Sequence, residues 1–187
     1  DATDSTAEKS NYKVSENLGK LTVTEHDGEV VAAAGSYTGV YDGKPHGVDV
    51  TVTGLPEGYT VKAARSSATA TDATGEAGVD AEVDELAIVN AQGDDVTEKL
   101  NIKREPGSIV IEPATLEVFT PSAKRPYNGQ PLTARGSVEG FVNGESAPFA
   151  TTGTQTAVGE SVNTYAIDWD ATDSTAEKSN YKVSENL

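Results

Sequence analysis

The sequence predicts an all-β protein built as two tandem β-sandwich modules. Three observations carry that prediction: short β-branched segments that alternate with period two, turn dipeptides at close intervals, and an internal duplication. In chain order the alternating segments are 20–24 (Lys-Leu-Thr-Val-Thr), 48–52 (Val-Asp-Val-Thr-Val), 108–111 (Ser-Ile-Val-Ile) and 115–119 (Thr-Leu-Glu-Val-Phe), each short and each with one apolar face. They are punctuated by Asp27-Gly28, Asp42-Gly43, Gly93-Asp94, Pro106-Gly107, Asn128-Gly129 and Asn143-Gly144. Asx-Gly pairs suit turns that need positive φ, and Pro-Gly suits a type II turn. Short strands separated by such turns point to sandwiches. Over residues 76–88 a single helical turn around Asp80 to Leu86 competes with the strand reading and loses to it.

Residues 1–18 recur without one change at 170–187, which sets a period of 169 residues and makes the chain one period plus an overlap. Inside the period lies a second, more diverged duplication. Tyr41-Asp42-Gly43-Lys44-Pro45 matches Tyr127-Asn128-Gly129-Gln130-Pro131, and the box from Val52 through Gly54 to Gly58 matches that from Val138 through Gly140 to Gly144, both at an offset of 86. Further on, Glu98-Lys99-Leu100-Asn101-Ile102-Lys103 matches Glu177-Lys178-Ser179-Asn180-Tyr181-Lys182 at an offset of 79, so the second copy reads as seven residues shorter in its middle. Gly107-Ser108-Ile109-Val110-Ile111-Glu112 matches Gly19-Lys20-Leu21-Thr22-Val23-Thr24, the stretch that follows residue 187 when the period is continued. The expected organisation is therefore residues 1–25 as closing strands of a preceding module, 26–112 as a first module, and 113–187 as a second module lacking its closing strand. Residues 12–24 are expected either to pair at the edge of the first module or to complete the second module of a neighbouring molecule.

Composition narrows the function classes. The 187 residues include no cysteine, no methionine and two histidines, with 30 acidic against 14 basic side chains and a net charge of -16. Disulfides, thiol catalysis and cysteine-based metal sites are excluded, and the charge disfavours nucleic acid and anionic membranes as partners. No apolar run approaches the roughly 20 residues that span a bilayer. The chain reads as a soluble piece of a larger protein, opening at Asp1 in mid-sequence, and its alternating pattern argues against the disorder that high charge and low hydrophobicity can bring.

The Tyr-Asx-Gly-x-Pro box, the Val-x-Gly-x-x-x-Gly box and the Asn-x-Lys hairpin running into Gly-Lys-Leu-Thr-Val-Thr together resemble the MBG-type bacterial Ig-like repeats of secreted and wall-anchored surface proteins. The resemblance is strongest over 113–187, where Thr152 to Gly159 and Asn163-Thr164-Tyr165 also match, and looser over 26–112. It implies Ig-like sandwiches arranged end to end, with a β-grasp-like arrangement as the variant. It also implies a location at the bacterial cell surface or cell wall, with signal and anchor outside this fragment, and a spacer role in an adhesin stalk. The boxes are structural, so the resemblance carries no catalytic residue to this chain.

Candidate chemistry is sparse. Tyr41 and Tyr127 suggest either an aromatic ligand platform or strand-end anchors bonded to backbone, and their duplication favours the anchor. Asp168, Asp170 and Asp173 are spaced to wrap a hard cation such as calcium. An EF-hand fails there, because Asp173 stands where glycine is needed and Ser179 where the bidentate glutamate belongs, and an acidic solvated loop is the simpler reading. His26 beside Asp27 and His46 near Asp42 invite acid–base chemistry, but no nucleophile elbow, paired-histidine motif or phosphate loop accompanies them, and exposed loop positions are expected. Lys99, Lys103 and Lys178 with Asn101 and Asn180 are the components an isopeptide crosslink would use, although both asparagines read more simply as turn or edge residues. The Gly54–Gly58 and Gly140–Gly144 spacings are turns, not membrane-dimer motifs.

These readings converge on a non-enzymatic spacer without a cofactor. Its partners are adjacent repeats of the same protein, with head-to-tail strand donation between copies of the fragment, and neither nucleic acid nor a membrane interior. Stacked modules with strands of about ten residues at 3.3 Å each add roughly 70 to 80 Å per period. The competing reading makes each period an adhesive module for a host protein or glycan, acting through multivalency. Its aromatic contacts would have to come from Trp169, Tyr37, Tyr59 and Tyr165.

Overall fold

A computed structural model describes residues 9–13, 15–22 and 28–186. The described residues are almost all strand, turn and loop, with three single-turn 3-10 segments (Lys9–Asn11, Thr97–Lys99 and Lys178–Asn180), and the chain is all-β as expected. Strands β1 (Glu29–Ala34), β2 (Tyr37–Val40), β3 (His46–Thr53), β4 (Thr60–Ala70), β5 (Val79–Ala81), β6 (Glu85–Val89), β7 (Asn101–Glu105) and β8 (Gly107–Glu112) precede Pro113. After it come β9 (Ala114–Phe119), β10 (Ser137–Glu139), β11 (Phe149–Thr151), β12 (Tyr165–Ile167) and β13 (Tyr181–Asn186). The competing helical turn over 80–86 is absent: β5 ends at Ala81, β6 begins at Glu85, and 82–84 connect them without helix.

Before Pro113 the strands form one sheet in the order β6-β4-β3-β1-β7 and a second in the order β2-β8-β5. Their connection is unusual in that both outer chain segments change sheet without reversing. β1 runs through Gly35 and Ser36 into β2, and β7 runs through Pro106 into β8. β1 pairs in parallel with β7 from Glu29↔Asn101 to Ala33↔Glu105, and β2 in parallel with β8 from Tyr37↔Ile109 to Val40↔Glu112. The partner offset is 72 throughout, so 29–40 and 101–112 form one kinked parallel ribbon shared by both sheets. At the kink a Cβ on Gly107 would collide with the carbonyl oxygen of Gly35. This corrects the type II turn expected at Pro106-Gly107. Gly107 lies within β8 and lacks the positive φ such a turn requires, and its missing side chain lets two backbones touch.

After Pro113 the sheets are β10-β9-β13 and β11-β12. The registers repeat: Ala32↔Val52 in β1–β3 becomes Val118↔Val138 in β9–β10, both shifted by 86. The later match needs correction. Val30 pairs with Ile102, while Leu116, 86 residues on, pairs with Val183, so Ile102 corresponds to Val183 at an offset of 81. The two 3-10 turns at Thr97–Lys99 and Lys178–Asn180 stand at the same offset. The second copy is therefore five residues shorter, and the Asn-x-Lys likeness at 79 is out of register by two.

Burial follows the alternation. Val30, Ala32 and Ala34 point inward from β1, Ile109 and Ile111 from β8, and Ala114, Leu116 and Val118 from β9. Each fully buried Ile or Leu contributes about 1.5–3 kcal/mol over its exposed state. Two apolar clusters, one around Val30, Ile88 and Val96 and one around Ala32, Ala34, Ala81 and Val83, lie before Pro113. The third joins Tyr41, Ile109 and Ile111 to Ala114, Leu116, Ala176 and Tyr181, and so crosses it. The predicted strand 20–24 is not present over residues 20–22, which are exposed and unpaired, and Val23 and Thr24 lie outside the described residues. Residues 12–13 and 15–22 likewise pair with no edge among the described residues. Asp1, Asp4, Glu8, His26 and Asp27 also lie outside the described residues.

Candidate functional site

The region where side chains from the two halves converge is the junction around Pro113. β8 ends at Glu112 and β9 begins at Ala114, so one residue of fixed φ separates two buried strands. Tyr41 follows β2, where its N–H donates to the Glu112 carbonyl at 2.8 Å, and its ring is buried. Its hydroxyl crosses the junction to donate to Glu145 Oε1 at 2.5 Å. Tyr181, at the start of β13, donates to Glu145 Oε2 at 2.8 Å and accepts from the Val142 N–H at 3.2 Å. One carboxylate thus takes a hydroxyl from each half.

Packing and polar satisfaction both surround this clamp. The Tyr41 and Tyr181 rings meet edge to face with centroids 5.6 Å apart, and Phe141 and Trp169 pack on Tyr181 at 5.2 and 6.1 Å. Asn180 is 1% exposed yet fully occupied: its Oδ1 accepts from the Ala73 N–H at 2.7 Å and its Nδ2 donates to Asp72 Oδ1 at 2.9 Å. Burial first, and then the hydrogen bond to Glu145, push the Tyr41 hydroxyl up to about 12. Burial also raises Tyr181 well above the ordinary phenol range, so both groups remain neutral donors at neutral pH.

The duplicated boxes explain how the halves meet. Asn143 and Gly144 both adopt positive φ, and a Cβ on Gly43 would lie only 2.8 Å from the Asn143 side chain. The Tyr41-Asp42-Gly43-Lys44-Pro45 box of the first half therefore seats on the 138–144 box of the second. Gly54 and Gly140 share a further constraint, because a Cβ on either would strike the carbonyl of Glu29 or Thr115 on the adjacent strand. Among the described residues the outer boxes have no such partner. Tyr127, beside Gly129 and Pro131, is 69% exposed, whereas its counterpart Tyr41 is buried. Gly58 has positive φ and ends the first half's box near Tyr59, which packs on the Val30 cluster.

Several sequence readings change here. The expected backbone anchor is instead, for Tyr41, a side-chain bond to a carboxylate 104 residues away. Asn180 lies in the 3-10 turn Lys178–Asn180, in keeping with the turn reading, but it is buried at the junction and bonded to Asp72 and Ala73. Lys103 pairs with Glu105 at 2.7 Å. His46 belongs to β3 rather than an exposed loop; it contacts Asp42 at 2.9 Å and stacks on Tyr37 at 4.3 Å. That contact, with the Lys44 N–H, holds the Asp42 carboxyl below its usual range. Asp168, Asp170 and Asp173 are exposed beyond β12, and no group of three or more metal-ligating side chains gathers among the described residues. Glu145, Asp72 and Tyr181 were missed as site residues; the repeated pairing of the two boxes was the only sequence signal pointing toward them.

The four aromatics that a ligand-binding reading would use fall in three separate places. Tyr37 stacks on His46 and Tyr59 packs on the core, while Tyr165 and Trp169 line a shallow hollow of about 400 Å³ with Ile167 and Val183. Comparison with protein-family models, curated proteins and solved structures returns no significant match.

Proposed function

We propose that the chain is a structural spacer repeat of a bacterial surface protein: two Ig-like sandwich modules stacked end to end in an elongated, semi-rigid stalk that projects a distal adhesive domain. The observation that carries this reading is the continuous core across Pro113, clamped by Tyr41, Glu145 and Tyr181. A junction with a one-residue link and a shared core has little freedom to bend, which is what a spacer needs and a flexible linker lacks. The parallel ribbon of 29–40 with 101–112 supports the same role. The chain enters at one end of that ribbon and leaves at the other, so tension along the stalk loads its ladder bonds together rather than one at a time. The high negative charge keeps near-identical neighbours soluble and apart.

Small-angle scattering on one, two and three periods tests this. The maximum dimension should grow by roughly 70 to 80 Å per period, and a compact particle whose size does not scale with period number refutes the stalk. The adhesive alternative is favoured by a single feature, the hollow shared by Tyr165 and Trp169. Chemical-shift changes confined to those rings on titration with cell-surface glycans would support it.

A further inference from the structure

In the first half, β8 is the central strand of the β2-β8-β5 sheet, and Ile109 and Ile111 are fully buried there. The second half contains the counterpart of β2, residues 123–126 at the offset of 86, but they form no strand. In place of a central strand it has a groove of about 740 Å³, walled by residues 120–134 on one side and 153–163 on the other. Tyr127, Val158 and Val162 are exposed around it. Asn163 ties the Pro121 and Ala134 carbonyls across its floor at 3.0 and 3.1 Å, with its Oδ1 buried and unpartnered.

We propose that this groove is the seat for residues 19–22 of a second copy of the chain, which completes the second half by parallel strand donation. Two independent counts give the same register. By sequence, Gly107 to Glu112 match Gly19 to Thr24, so the β2–β8 pairs Tyr37↔Ile109 and Thr38↔Val110 become Ala123 with Leu21 and Lys124 with Thr22. By structure, β9 and β13 pair at a constant offset of 67, from Ala114↔Tyr181 to Phe119↔Asn186. Continued along the ribbon, that offset sets Ala123 opposite position 190, which in the 169-residue period is Leu21. The donor is open to engage: Leu21 is 99% exposed, and residues 15–22 form no strand pairing among the described residues.

The acceptor chemistry agrees. Tyr41 N–H points at β8, so its neighbour Val40 points its N–H away. Pro126, the counterpart of Val40, therefore removes no bond that the incoming strand needs. Leu21 takes the inward place of Ile109, and Thr22 takes the outward place of Val110. Seating also carries the donor's first half up to the exposed box at Tyr127, as β8 carries Ala114 past Tyr41 within one chain.

The cysteine-free sequence gives a direct test. Full-length Thr22→Cys mixed with full-length Lys124→Cys places thiols on adjacent strands at a separation a disulfide can bridge. Under mild oxidation this pair should form covalent dimer about tenfold faster than Thr22→Cys mixed with Ser122→Cys, because docking raises the effective concentration of the matched thiols. Sedimentation of the unmodified chain should show head-to-tail species growing with concentration, and Leu21→Asp should abolish them. Since Leu21 is 99% exposed, unchanged far-ultraviolet circular dichroism separates lost donation from lost folding. Equal crosslinking of matched and mismatched pairs overturns the proposal. So does a monomer at every concentration, whether the seat is then empty or filled by the chain's own terminus.

Discussion

Replacing Glu145 with alanine should weaken the junction between the two halves. The carboxylate accepts from the Tyr41 hydroxyl at 2.5 Å and the Tyr181 hydroxyl at 2.8 Å, one from each half. Hydrogen bonds to a charged acceptor contribute about 1.5–3 kcal/mol each, and a buried donor left without a partner adds its own desolvation cost. Glu145 is only half-buried, so water can replace part of the loss, and about 2–4 kcal/mol is the expected net destabilisation. For a chain of this length each kcal/mol lowers Tm by about 2–4 °C, giving a fall of roughly 5–15 °C. Calorimetry should also show the single transition broadening or dividing, because the clamp couples the halves. A double-mutant cycle of Glu145→Ala with Tyr41→Phe should return a coupling of about 1–2 kcal/mol. A Tm unchanged by Glu145→Ala, or a coupling near zero, would refute the clamp.

Alkaline pH should act on the same contacts. Tyr41 has its pKa raised from 10.0 to about 12 by burial and by Glu145, and Tyr165 likewise to about 12 by its bond to Glu185. Because the folded state holds these protons more tightly, their contribution is fully present below pH 10 and is lost as pH rises toward 12, so unfolding followed at the tyrosinate band should begin in that window. Gly107→Ala should destabilise by about 3 kcal/mol or more, read by urea unfolding, because its Cβ has no space beside the Gly35 carbonyl. Asn180→Ala should cost about 1–3 kcal/mol in the same assay by orphaning the Ala73 N–H and Asp72.

What the sequence made legible follows from what alternation and turn chemistry can encode. Residues 48–52, 108–111 and 115–119 lie within β3, β8 and β9 because a strand buried on one face must alternate. The offset of 86 survives in the sheet registers because the turns that fix it, at Asp42-Gly43 and Asn128-Gly129, carry the same backbone demand. The offset of 79 misled because Asn101 and Asn180 share identity but not environment, one exposed and one buried at the junction. Sheet switching at Gly35 and Gly107 left no local mark, since a kinked strand and a turn draw on the same residues. The Tyr41 to Glu145 bond was invisible for a simpler reason: nothing within reach of Tyr41 in sequence specifies a partner 104 residues away.

The central claim is that the two halves are held as one rigid unit, and a pulsed electron–electron resonance distance between them tests it most directly. The cysteine-free chain accepts unique spin labels at Thr51→Cys in β3 and Glu139→Cys in β10, one exposed position in each half. A rigid junction gives a single narrow distance distribution that broadens in Glu145→Ala. A broad distribution in the unmodified protein, indistinguishable from that of the variant, would contradict it.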